Sequence, residues 1–99
     1  MAADAELVAG ARLLRALASP LRLAIVKELE GGEPRCVHEL VDALGVAQPL
    51  VSQHLRTLRE AKVITGSRRG REVEYRLADE HVLHIALDAI THAAEGPKP

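Results

Sequence analysis

Three of the five histidines, His81, His84 and His92, fall in the C-terminal stretch together with Asp79, Asp88 and Glu95. Imidazole nitrogens and carboxylate oxygens are ligands for a divalent ion. Two histidines with two carboxylates and no thiolate suit tetrahedral zinc, with cobalt as a chemical mimic. On a helix of 100° and ~1.5 Å per residue, His81, His84, Asp88, His92 and Glu95 lie along one stripe. His81 and His92 are eleven residues apart, about 16 Å along the axis. They cannot share an ion with ligand distances near ~2 Å. Two copies of this helix running antiparallel across a dimer axis would remove the difficulty. Asp79 and His81 would come from one subunit, His92 and Glu95 (i and i+3) from the other, giving two equivalent sites per dimer. Asp79 and His81 point roughly 200° apart on a regular helix, so Asp79 must then stand at the cap, where the backbone is not yet helical. The same residues have a plainer reading. Asp79 can be an N-cap, Glu95 a residue of a frayed end, and the histidines part of a solvated polar face. Spacing alone leaves both readings open. His84 and Asp88 are read as solvated polar residues, with partners or rivals of the ligands as the other option.

A second group of residues suits a polyanion. Ser67-Arg68-Arg69-Gly70-Arg71 crowds three positive charges into one short turn, an unfavourable arrangement unless an anion is near. Val63-Ile64-Thr65-Gly66 before it is rich in β-branched residues. Glu72 to Leu77 alternates polar and apolar residues, the period of a half-buried strand. Gly70 can take positive φ at a hairpin tip. Upstream, a short helix over Val37–Leu44 ends at Gly45, and a second runs from about Pro49 to Ala61. Two short helices joined by a tight glycine-containing turn have the form of a helix-turn-helix. On the second, Leu50, Val51, Leu55 and Leu58 can face a core, leaving Gln48, Ser52, Gln53, Arg56 and Arg59 to project outward. In this motif the second helix enters the DNA major groove, and a basic hairpin beside it touches phosphate or the adjacent minor groove. The expected contacts to double-stranded DNA are Gln48, Ser52, Gln53, His54 and Arg56 on the helix and Arg68, Arg69 and Arg71 on the hairpin. His54 is the one that either contacts DNA or packs. From Gln48 to Arg76 the formal charge is +4, against −5 for the remainder. A basic block within an acidic chain fits a local polyanion-binding face.

Other elements must hold these two groups in place. Asp4 is placed to cap a first helix reaching about Ala18, with Leu7, Ala11, Leu14 and Ala18 on one face. Ser19-Pro20 restarts the chain as N-cap and first helical residue. The second helix runs from Leu21 to about Glu30 and stops at Gly31-Gly32. A last helix starts near Asp79 and reaches about Ala94, before Gly96-Pro97. The 99 residues make a single domain, 1–99, with the helix-turn-helix at 37–61, the hairpin at 63–77 and the terminal helix at 79–95. Hydrophobic residues are 47% and the only aromatic is Tyr75. A small core without Phe or Trp often gains stability by dimerising. No apolar run approaches the ~20 residues of a membrane span, and Met1 to Leu7 lacks the pattern of a signal peptide. Cys36 is the single cysteine and cannot form an internal disulfide. A cytoplasmic protein without membrane contact is expected.

The segment Gln48 to Leu58, with Val51-Ser52-Gln53-His54-Leu55, then Leu58-Arg59-Glu60-Ala61-Lys62-Val63-Ile64 and the Arg-Arg-Gly-Arg hairpin, resembles the ArsR/SmtB family of bacterial metal-responsive repressors, the zinc-sensing SmtB-like subgroup in particular. Leu17-Ala18-Ser19-Pro20-Leu21-Arg22-Leu23 is similar to the family's N-terminal segment. The resemblance covers nearly the whole chain. It implies a mainly α fold with a small β-hairpin, a winged helix-turn-helix, dimeric through the first and last helices. Asp79-x-His81-x10-His92-x2-Glu95 resembles the family's terminal-helix zinc motif at all four positions, with zinc, cobalt or nickel as the ion. It implies a repressor that holds operator DNA as the apo homodimer and releases it when metal binds. It also implies a hydrogen bond from His92 to backbone near Lys62 that links the metal to the reading helix. One departure is local. Relatives often begin the reading helix with Ser, and Ala47 stands here, a poorer N-cap by about 1 kcal/mol. Some relatives carry a thiolate site where Arg35-Cys36-Val37-His38 stands. With one cysteine such a site is incomplete, and Cys36 is expected to be a small buried or semi-buried residue. The alternative reading is a winged helix-turn-helix regulator that answers to thiol oxidation or another ligand. An enzyme is not expected, because four protein ligands would close the metal and no nucleophile stands beside it.

Overall fold

The computed structural model describes residues 4–96. The outermost residues of the 1–99 domain, Pro97 of the expected helix stop among them, lie outside the described residues. Asp4 starts α1 (Ala5–Leu17), its carboxylate accepting from the Glu6 N–H at 2.7 Å. Ser19 caps α2 (Pro20–Glu28), accepting from the Arg22 N–H at 3.3 Å. A two-residue strand, β1 (Arg35–Cys36), leads into α3 (Val37–Leu44), which Gly45 ends in the left-handed conformation at φ 65°. Then follow α4 (Gln48–Glu60), β2 (Ile64–Arg69), β3 (Glu72–Leu77) and α5 (Glu80–Glu95). The helix-turn-helix α3–α4 followed by the β2–β3 hairpin makes the fold a winged helix-turn-helix.

The core is aliphatic. Ile25, Val26 and Leu29 of α2 and its C-terminal turn, Leu40 of α3, Val51, Leu55 and Leu58 of α4, and Val63-Ile64 at the base of the wing are buried together. Each such side chain contributes about 1.5–3 kcal/mol through removal from water. Val51, Leu55 and Leu58 recur at i, i+4 and i+7, so one stripe of α4 is inward and the opposite stripe is free for contacts.

Three expectations change. Leu50 does not face the core; it is 42% exposed. On the 3.6-residue wheel it stands about 100° from Val51, on the flank of α4 beyond the core. The hairpin strands run further than expected. Arg68 and Arg69 lie within β2, paired with Val73 and Glu72, and only Gly70 and Arg71 form the turn. Gly70 has φ 64° and Arg71 does not have positive φ, the pattern of a type II′ hairpin, whose twist lets both strands pair to the tip. The third change is β1, which pairs antiparallel with β3 (Arg35 with Tyr75, Cys36 with Glu74) to give a sheet ordered β1-β3-β2. Two residues are too few to show alternation in sequence.

Two junctions set the reading helix. Ala47 is the N-cap of α4 and makes no side-chain capping bond. At the other end Lys62 sits at φ 62°, donating its N–H to the Arg59 carbonyl, while Val63 donates to the Leu58 carbonyl. These are the two bonds of a Schellman motif, with the apolar contact of Val63 on Leu58 that accompanies it. The same turn sends the chain into β2. At the start of α3 the Cys36 N–H donates to Glu39 Oε1 at 3.1 Å. That bond is the main reason the Glu39 carboxyl titrates below the ordinary glutamate value. Among the described residues no helix is long and apolar enough to cross a membrane.

Candidate nucleic-acid interface and metal centre

Because its inward stripe is committed to the core, α4 presents Gln48, Ser52, Gln53 and Arg56 as exposed residues on the other side. A groove between α4 and the wing is lined by Gln48, Ser52, Arg71, Glu72 and Tyr75, with His38 at its edge. A neighbouring depression carries Ser52, Arg56, Arg59 and Tyr75. Arg59 and Tyr75 were not among the contact residues expected from sequence. Arg59 was legible as an outward-pointing cation of α4. Tyr75 reads in sequence only as a residue of an alternating strand.

Arg59 reaches from α4 onto the wing. A Cβ on Gly66 would lie 3.2 Å from Arg59 Cζ and 3.2 Å from Val73 Cγ1, so the missing side chain at Gly66 makes room for the guanidinium. The three wing arginines are not equivalent. Arg69 Nη1 is 3.6 Å from Glu74 Oε1, so part of the charge crowding read from sequence is offset within the chain. Arg68 and Arg71 are exposed and form no ion pair among the described residues. His54 turns the other way. It is half-buried, and its Nδ1 lies 3.3 Å from Arg22 Nη1. A guanidinium only donates, so Nδ1 accepts and the second ring nitrogen carries the proton. His38 Nε2 is 3.4 Å from Glu72 Oε1, which ties the start of α3 to the wing.

At the start of α5, Asp79 is the N-cap, extended at φ −162° and ψ 178°, and Oδ1 accepts from the Val82 N–H at 3.2 Å. The extended backbone turns its carboxylate towards His81, with Oδ1 3.6 Å from His81 Nδ1. Two donors each about 2.0–2.1 Å from one tetrahedral ion stand roughly 3.3 Å apart, so this exposed pair fits half of a zinc site. His92 and Glu95 are exposed at the far end of the same helix. Among the described residues no three His, Cys, Asp or Glu side chains converge on a metal position. One chain therefore brings together Asp79 with His81 but not these with His92 and Glu95. Among the described residues the His92 side chain makes no hydrogen bond, so the link to backbone near Lys62 is not formed within the single chain. Cys36 is 8% exposed in the core margin, as its role as a small buried residue requires.

The profile of the family described as bacterial regulatory protein, arsR family, matches residues 19–65. The HTH-type transcriptional repressor SmtB of Mycobacterium tuberculosis is 64% identical over 87 residues, covering 88% of this chain and 64% of that protein. The chain thus spans less than two thirds of the length of that relative. The HTH-type transcriptional regulator NmtR of the same species is 42% identical over 83 residues, covering 84% of this chain and 68% of that protein. Among solved structures, the homodimeric winged helix-turn-helix DNA-binding domain from Mycobacterium bovis superposes with a TM-score of 0.82 at 29% identity, covering 99% of this chain and 94% of that one. The family and these relatives are transcriptional regulators, not enzymes. Together, the helix-turn-helix match and relatives aligned along most of the fold place the chain in the ArsR family of bacterial regulatory proteins.

Proposed function

We propose that this chain is a metal-responsive transcriptional repressor that binds operator DNA as a metal-free homodimer and releases it when zinc, or a similar divalent ion such as cobalt or nickel, binds. The observation that carries the sensing half is the exposed Asp79–His81 pair at 3.6 Å. It is two donors of a tetrahedral set, with the matching His92–Glu95 pair three helical turns away. Homodimerisation is supported by apolar surface that a lone chain leaves in water. Leu7 and Leu14 of α1 are 65% and 59% exposed, and an apolar hollow between α1, α2 and α5 is lined by Leu14, Leu17, Ala18, Leu23, Ile85 and Ala89. Antiparallel α5 helices across that interface put Asp79 and His81 beside His92 and Glu95 of the partner subunit. Bound there, the ion supplies a cross-link between subunits. The chain's own residues do the rest: Asp79 holds its cap bond while orienting towards His81, and α5 carries both half-sites on one rigid rod.

DNA contact falls to Gln48, Ser52, Gln53 and Arg56 in the major groove and to Arg68, Arg69 and Arg71 on phosphate or the adjacent minor groove. His54, half-buried against Arg22, reaches DNA only with its outer ring nitrogen. Metal and DNA then compete through dimer geometry, and each must weaken the other by the same factor. Burial of Cys36 argues against thiol oxidation as the signal. The test is a titration of a DNA duplex selected by the protein from a random library, with and without zinc. Zinc should weaken wild-type binding and leave His81→Ala and His92→Ala unaffected. Unchanged affinity of the wild type on adding zinc would remove the sensing role and leave DNA binding standing.

A further inference from the structure

A second basic surface flanks α4 on the side away from the wing. Arg12 and Arg15 of α1 and Arg22 of α2 line an open hollow whose far wall is Thr57 and Glu60 of α4 and its C-cap Ala61. Three arginines face one carboxylate, Glu60. Arg22 forms the floor, held by His54 and by a long contact from Nη2 to the Arg15 carbonyl at 3.5 Å, and its Nε is buried with no partner. Arg12 and Arg15 are exposed, and among the described residues neither forms an ion pair. Like charges gathered this way repel unless an anion joins them.

The placement of this hollow says which anion. Counting 100° per residue from Ser52 on α4, Gln48 and Arg59 lie at roughly −40° and −20°, Arg56 at roughly 40° and Gln53 at roughly 100°, and Glu60 and Thr57 of the hollow lie at roughly 80° and 140°, on the Gln53 side. Arg59 leans on the wing at Gly66. The exposed reading face of α4 thus has the wing on one flank and the Arg12–Arg15–Arg22 hollow on the other. A helix of about 10–12 Å diameter fills a major groove about 12 Å wide, which leaves a phosphate strand against each flank. We infer that Arg12 and Arg15 form a second phosphate-binding surface that takes the DNA strand opposite the one held by the wing, so that α4 is clamped from both sides. This inference rests on the reading that α4 enters the major groove. On α1 the two arginines stand about 80–140° round from the Leu7–Leu14 stripe, so the surface is separate from the proposed dimer contact.

The test uses the full chain and a duplex of about 30 base pairs, long enough for two half-sites one helical turn apart, selected from a random library by the wild type. Each phosphate contact adds about 0.9 to the slope of log affinity against log salt. Arg12→Gln with Arg15→Gln removes four contacts per dimer and should flatten that slope by about 3.6. Phosphate-ethylation interference should map two sets of phosphates for the wild type and lose only the set on the strand away from the wing in the double variant. A wild type that binds no duplex overturns the reading of α4 itself. A wild type that binds, with the double variant keeping the full slope or both sets of phosphates, overturns this inference alone.

Discussion

Lys62 closes the reading helix in a conformation that disfavours any residue with a Cβ, and this makes a prediction of unusual sign. Its φ of 62° places it in the left-handed region, which costs a non-glycine residue about 1–2 kcal/mol. Glycine avoids that cost but loses about 0.4–1 kcal/mol more chain entropy on folding. Comparing Lys62→Gly with Lys62→Ala removes the lysine charge from both, so only the backbone difference remains. The net advantage of glycine should be about 0.5–1 kcal/mol, whereas in a helix interior glycine is worse than alanine by about 1 kcal/mol. Lys62→Val should be the least stable of the three, because a β-branched side chain fits this region worst. Urea unfolding followed by circular dichroism reads the difference as a shift in midpoint at constant slope. All variants must be compared at one protein concentration, since a dimer's stability depends on it. The corresponding rise in melting temperature is about 2–8 °C for a domain of this size. If the glycine variant were no more stable than the alanine variant, the Schellman geometry assigned to the α4–β2 junction would be wrong.

Other outcomes follow from single contacts. Ala47→Ser supplies the missing cap of α4 and should add about 1 kcal/mol in the same unfolding assay; no gain would mean that the first turn is held by something other than capping. Glu39 titrates low chiefly because the Cys36 N–H bonds its ionised carboxylate. The stability it contributes is therefore present above the ordinary glutamate pKa and lost as pH falls through the lower folded value. Glu39→Gln should flatten the acid side of the stability–pH curve in that range, lowering stability near neutrality and changing little below the folded value; an unaltered acid limb would refute the assignment. On the wing, Arg71→Gln should reduce the salt slope of DNA binding by about 1.8 for a dimer. Arg69→Gln should reduce it less, because Glu74 already faces Arg69 at 3.6 Å; equal losses in filter-binding titrations would show that this pair opens on DNA.

The sequence by itself determined the elements whose signals are local. Ser19-Pro20 starts α2, Gly45 ends α3, and Asp79 caps α5, because a side-chain oxygen, a fixed φ or a missing Cβ acts within a few residues of itself. The inward stripe Val51, Leu55, Leu58 was legible for the same reason, since helical period alone aligns it. Leu50 was misassigned because hydrophobicity says that a residue avoids water, not which neighbour covers it. The wing's extent, strand β1 and the left-handed Lys62 were set by pairing and by Leu58–Val63 packing, contacts between segments that no local pattern encodes. Tertiary structure also decided how the charged groups divide. It paired Arg69 with Glu74, turned His54 inward to Arg22, laid Arg59 over Gly66 and gathered Arg12, Arg15 and Arg22 beside α4. It brought Asp79 to His81 through an extended cap, and it left His92 and Glu95 at the other end of a straight helix, because 1.5 Å of rise per residue carries no side chain back along its own axis.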